Sequence, residues 1–187
     1  MNGPPKAPLR SPAPPVKTRS RPGNPSPLTA TLTLSDQAAT ERLAEAIAPC
    51  LRPGDALLLE GDLGAGKTTF ARALIAARLT ALGRAEPIPS PTYTLVQTYE
   101  LDGVELWHAD LYRLAGPEET AELGLDDALA TAITLIEWPD RLGPLRPARR
   151  LDLVLAFAPA DAARTVTLTA VGPGWGWLPA VLAPAAA

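Results

Sequence analysis

Apolar residues three and four positions apart mark the first element. Ala39, Leu43, Ala46, Ile47 and Cys50 share one face of a helix predicted over residues 36–51. Ser35 stands where a cap is needed, and Asp36 lies at the positive end of the helix. Pro53-Gly54-Asp55 ends it. Ala56-Leu57-Leu58-Leu59-Glu60 then runs apolar without alternation, the pattern of a strand buried on both faces of a parallel sheet. A Gly-rich stretch from Gly61 to Gly66 follows directly. Residues 68–82 return to the helical period, with Phe70, Leu74, Ala77 and Ala81 on one face and Gly83 as the stop.

Pro87 to Pro91 predicts a stiff loop. Residues 94–101 and 104–108 read as two strands joined by Asp102-Gly103, a pair that favours a type I′ hairpin. Gly116-Pro117-Glu118-Glu119 is a helix start, running to about Leu123 with Gly124 as the stop, and residues 126–132 add a second short helix. Residues 133–137 form another apolar run consistent with an inner strand, and 151–157 and 165–170 predict two late strands. The Pro- and Ala-rich end, with Trp175 and Trp177, suggests a short helix docked on the body. Strands alternating with helices predict an α/β fold. Its sheet is expected to be mixed and mostly parallel, with helices on both faces and one antiparallel hairpin.

Composition divides the chain. Its 187 residues suit one domain with a real core. Residues 1–27 hold nine Pro and five basic residues but no acid, and they lack the apolar surface that offsets the entropy of ordering. They read as a disordered or polyproline-like basic tail. Residues 28–171 make the domain, and 172–187 a C-terminal extension. Without the tail the body carries 12 basic against 20 acidic residues, a net of −8. Such a body lacks the basic face that phosphate contacts need, so any link to RNA should run through a partner. A single Cys (Cys50) and a single His (His108) exclude an intramolecular disulfide and a Cys/His zinc cluster. No secretory leader is visible and no apolar run reaches membrane-spanning length, so a soluble, cytoplasmic protein is expected.

The chemistry is concentrated in one loop. Gly61-Asp62-Leu63-Gly64-Ala65-Gly66-Lys67-Thr68 fits the phosphate-binding pattern G-x4-G-K-[ST] in full, between the strand and helix it requires. Gly64 and Gly66 permit backbone angles that turn successive N–H groups, those of Leu63 and Ala65 among them, toward phosphate. The helix beginning near Lys67 adds its positive end. Lys67 has the reach for the β- and γ-phosphates, the Thr68 hydroxyl is a hard ligand for Mg²⁺, and Thr69 can donate to the α-phosphate. Lys67 is also the only lysine in residues 28–187, where every other basic residue is Arg. A magnesium-holding carboxylate is expected at the end of a neighbouring strand, and both Asp110 and Glu137 qualify. The body has no Asn, hence no Asn-Lys-x-Asp guanine reader, which favours ATP. Thr92, in Ser90-Pro91-Thr92-Tyr93-Thr94, is either a γ-phosphate sensor or part of an ordinary Ser-Pro turn.

Taken together, these blocks resemble the TsaE (YjeE) family of P-loop ATPases required for threonylcarbamoyladenosine in tRNA. The matching residues are the P-loop through Thr69-Phe70, Ser90-Pro91-Thr92-Tyr93-Thr94-Leu95-Val96, His108-Ala109-Asp110-Leu111-Tyr112-Arg113-Leu114, and Glu137-Trp138-Pro139. The resemblance implies a P-loop NTPase fold, slow ATP hydrolysis with Mg²⁺, and docking on a TsaB–TsaD heterodimer that modifies adenosine 37 of tRNA. Contact with tRNA would be indirect. By position, Thr68 and Glu137 resemble the family's metal ligands and Asp110 its acid for hydrolysis. Thr92 falls in the first switch, and Trp138 beside the nucleotide. Gln37, Ala39 and Thr40 resemble its adenine edge, and Arg164 approaches the nucleotide. The family usually lacks both the basic tail and the Trp-containing extension. The competing function, a P-loop small-molecule kinase, normally brings an Arg-rich lid, and no Arg or Lys lies between Arg113 and Arg141.

Overall fold

The computed structural model describes residues 27–159 and 162–183. The expected disordered tail therefore lies outside the described residues, apart from Pro27. The first element, β1 (Leu28–Leu34), is absent from the predicted set. Only Leu32 and Leu34 are buried along it, and its Thr residues face outward against β7 (Arg164–Val171). The Thr31 and Thr167 hydroxyls lie 3.0 Å apart in that Thr ladder.

Helix α1 spans Gln37–Ile47 and ends in a 3-10 turn at Ala48–Cys50, where Pro49 has no N–H to continue the ladder. Its cap is Asp36 rather than the expected Ser35. The Asp36 carboxylate accepts from the Ala39 N–H at 2.7 Å, while Ser35 donates to Asp36. That backbone bond is the main reason the Asp36 pKa is lowered.

Strand β2 (Ala56–Glu60), the Gly-rich loop and α2 (Lys67–Ala81) follow as expected. Then come β3 (Val96–Glu100) and β4 (Glu105–Asp110), joined by Asp102 at φ 56° and Gly103 at φ 81°, the two positive angles of a type I′ turn. The remaining elements are α3 (Pro117–Ala121), α4 (Leu125–Thr131), β5 (Ile133–Glu137), β6 (Arg150–Phe157), β7 and α5 (Leu178–Leu182).

One seven-stranded sheet carries the order β1-β7-β6-β2-β5-β4-β3. The central pairs β6–β2, β2–β5 and β5–β4 are parallel. Antiparallel pairs extend both sides, at β4–β3 and, beyond the one expected hairpin, at β6–β7 and β7–β1. Leu57 and Leu59 face a large core with Phe70, Leu74 and Ile47, beneath α1 and α2. Trp175, Leu178 and Leu182 join this core as α5 docks on α1. Ala56 and Leu58 face a smaller core with Ile136, Leu125 and Leu142, so helices cover both faces. The parallel register sets Asp110 opposite Glu137 and Glu137 opposite Leu59, placing two acids beside the loop that leaves β2.

Candidate functional site

The loop after β2 is shaped by three glycines. Gly61 has φ 141°, and a Cβ there would lie 2.3 Å from the Leu155 carbonyl oxygen on β6, so no other residue fits without moving backbone. Gly64 and Gly66 have φ 79° and 107°. Gly66 is the N-cap of α2 and offers no side chain to cover the first turn. The first helical bond runs from the Phe70 N–H to the Gly66 carbonyl at 2.9 Å. The N–H groups of Lys67, Thr68 and Thr69 are therefore left outside the helix ladder, where an anion is the natural acceptor.

Lys67 is 4% exposed. Its Nζ donates to the carbonyls of Gly61 and Asp62 at 2.7 and 2.8 Å and sits 4.0 Å from the centre of a Trp138 ring. Burial holds its pKa below the ordinary lysine value, opposed by the charges of Glu137, Asp110 and Asp62. The Thr68 hydroxyl donates to Glu137 Oε2 at 2.8 Å, and Glu137 Oε1 lies 2.9 Å from His108 Nε2. Asp110 accepts from the Thr92 hydroxyl at 2.9 Å and from the Tyr112 N–H at 3.0 Å. The Ser90 and Thr92 hydroxyls lie 2.8 Å apart, so Ser90 is linked to Asp110 through Thr92.

These groups meet in one cleft of about 230 Å³, lined by Leu63, Gly64, Gly66, Lys67, Thr68, Thr69, Thr92, Asp110, Tyr112, Glu137 and Trp138. Trp138 adopts a left-handed backbone, φ 59°, an uncommon conformation for a bulky residue, anchored by its N–H to the Leu59 carbonyl at 3.3 Å. Tyr112 packs on its ring at 4.9 Å between centroids. A smaller hollow of about 140 Å³ adjoins the cleft through Gly64, Gly66 and Thr69 and is lined also by Gln37, Thr40, Ala65 and Arg164. Gln37 and Thr40 thus reach the loop. Ala39 does not, because its side chain packs on the large core and its N–H caps on Asp36. The Arg164 guanidinium stacks on Phe157 at 4.5 Å and contacts the Gly64 carbonyl at 3.5 Å.

The donor set fits a nucleotide with magnesium. No cluster of three or more metal-ligating His, Cys, Asp or Glu exists among the described residues. Magnesium does not need one, since it is commonly held by one or two protein oxygens together with substrate phosphates. Thr68 and Glu137 supply such a pair beside the open amides and the one ammonium. Sequence reasoning gave no role to His108 or Tyr112. A signal existed for His108: residues two apart on a strand share a face, so His108 points with Asp110 toward β5's acid side.

A family model for threonylcarbamoyl adenosine biosynthesis protein TsaE matches residues 34–166. The tRNA threonylcarbamoyladenosine biosynthesis protein TsaE of Rickettsia bellii is 41% identical over 128 residues, 68% of this chain and 87% of that protein. The protein of the same name from Bacillus subtilis is 38% identical over 134 residues, 71% of this chain and 80% of its own length. The crystal structure of Bacillus subtilis YdiB superposes with a TM-score of 0.67 at 28% identity, covering 86% of this chain and 98% of that one. The matched span contains the glycine loop, Thr92, Asp110 and Glu137, and the chain belongs to the TsaE family of tRNA threonylcarbamoyladenosine biosynthesis proteins.

Proposed function

We propose that the cleft binds ATP with Mg²⁺ and hydrolyses it, and that this cycle drives turnover of a TsaB–TsaD heterodimer modifying adenosine 37 of tRNA in the cytoplasm. One observation carries the reading: the buried Lys67 ammonium, the Thr68–Glu137 pair and the Thr92–Asp110 pair converge on a single cleft at the open end of α2. Backbone amides from Gly64 to Thr69 and the Lys67 ammonium grip the phosphates. Thr68 and Glu137 would hold the magnesium, which neutralises charge on the phosphates during transfer.

Asp110 orients the attacking water, and Thr92 fixes the carboxylate that does so. The water oxygen bonds to the γ-phosphorus as the bond to the bridging oxygen breaks, giving ADP and phosphate. The Gln37–Thr40 hollow takes the base side. Trp138 and Tyr112 wall the cleft and limit water near Lys67. The acidic body supports the expectation that tRNA is met through partners, not directly. Among the described residues no helix is long and apolar enough to cross a membrane.

The test is a phosphate-release assay on the chain alone and with the TsaB–TsaD pair. Slow release alone and faster release with the pair is expected. Phosphate passed to a small-molecule acceptor instead of water would replace the proposal with a kinase.

A further inference from the structure

His108 is the only histidine of the chain, and it is completely buried. It sits inside the sheet on β4, between Gln97 of β3 and Leu135 of β5, so backbone pairing on both sides fixes its position. Glu137 is 2% exposed, and both of its carboxylate oxygens are engaged: Oε1 by His108 Nε2 at 2.9 Å, Oε2 by the Thr68 hydroxyl at 2.8 Å. An ionised carboxylate only accepts, so the imidazole donates through Nε2. His108 Nδ1 is buried with no hydrogen-bond partner among the described residues. A lone pair left in that position is more tolerable than an orphaned N–H. The Nε2–H tautomer satisfies both constraints.

Resting on the magnesium–nucleotide reading above, we infer that His108 is a positioning residue for the metal: it pins Oε1 of Glu137 so that Oε2 stays turned toward Thr68. A carboxylate on a flexible Glu stem has several rotamers. A donor rooted in the neighbouring strand selects one of them and removes the ordering cost from metal binding. Residues in this role are worth about 10- to 100-fold in metal affinity.

The test measures magnesium-dependent binding of a non-hydrolysable ATP analogue to the full chain by calorimetry, with Mn²⁺ binding by electron paramagnetic resonance as a second readout. His108→Leu should need about 10-fold more Mg²⁺ or beyond, while its affinity for the analogue in EDTA stays that of wild type. His108→Gln places an amide N–H near the Nε2 position and should restore most of the metal affinity. His108→Asn is too short and should not. An unchanged Mg²⁺ requirement in a folded His108→Leu protein overturns the inference. If that variant does not fold, equal requirements in the Gln and Asn variants overturn it instead. Absence of any Mg²⁺-dependent binding in wild type would be a different failure, refuting the nucleotide reading and this inference with it.

Discussion

The two ends of the central strands handle buried charge in opposite ways. At the N-terminal end, Asp55 is 1% exposed and is met by one opposite charge, the Arg149 guanidinium at 2.5 Å, while its other carboxylate oxygen accepts from the Arg52 backbone N–H at 2.8 Å. Arg149 also donates to the Pro173 carbonyl, so this ion pair ties the C-terminal segment to the sheet. At the C-terminal end, Lys67, Asp110 and Glu137 are buried close together, yet Lys67 forms no ion pair among the described residues. Its ammonium is held by carbonyls, and the acids are held by hydroxyls, an imidazole and an N–H. Charge that is paired with charge serves the fold. Charge held only by neutral groups keeps its field for a ligand, at a cost in stability.

Substitutions at the two ends should therefore separate function from stability. The largest effect is expected for Lys67→Ala, which removes the one ammonium lining the cleft. Affinity for ATP with Mg²⁺, read by calorimetry, should fall roughly 10²-fold or more, as expected when charge-assisted bonds are lost. Wild-type affinity in this variant would break the contrast at its functional end. Asp110→Ala should come next, lowering hydrolysis roughly 10²-fold while nucleotide binding is kept, if Asp110 acts in the reacting step as proposed. Parallel loss of binding would mean that Asp110 serves the resting site instead.

Arg149→Ala tests the other end. It strands the Asp55 carboxylate in the sheet and should cost about 1–3 kcal/mol of unfolding free energy, read by urea denaturation, with nucleotide affinity unchanged. The smallest effect concerns Lys67→Met. Burial lowers the Lys67 pKa, so the folded state binds fewer protons than the unfolded chain between that lowered value and the ordinary value of 10.5. Stability of the wild type gains as pH rises through that window. At neutral pH the Met variant should unfold no earlier than wild type, and any lead should shrink as pH approaches 10.5. A clearly lower midpoint for the variant at pH 7 would contradict the assignment of strain to this lysine.

The parts that were legible in the sequence were those written in local pattern. The Ala56–Glu60 run, the glycine loop and the α2 periodicity each carry their own signal, and Asp102-Gly103 specifies its turn. What stayed hidden depends on partners distant in the chain. Strand β1 buries only Leu32 and Leu34 and is recognised by its Thr ladder with β7, about 140 residues away. The cap of α1 is Asp36 because it stands immediately before Gln37 with extended backbone and accepts from the Ala39 N–H, while Ser35 lies one residue further out and donates to Asp36. The resemblance groups Ala39 with Gln37 and Thr40, but a helix turns residues two apart to different faces, and the Ala39 side chain packs on the large core while Gln37 and Thr40 line the hollow. The left-handed backbone of Trp138 has no sequence signature, since that conformation usually calls for Gly or Asn.

The central claim is that the neutral-held charges at the C-terminal end await a triphosphate and its metal. Crystals grown with a non-hydrolysable ATP analogue and Mn²⁺ would test it most directly through the anomalous signal of the manganese. The account predicts one peak beside Thr68 and Glu137, with the triphosphate lying along the amides of residues 64–69. A nucleotide bound elsewhere, or a metal away from both side chains, would contradict it.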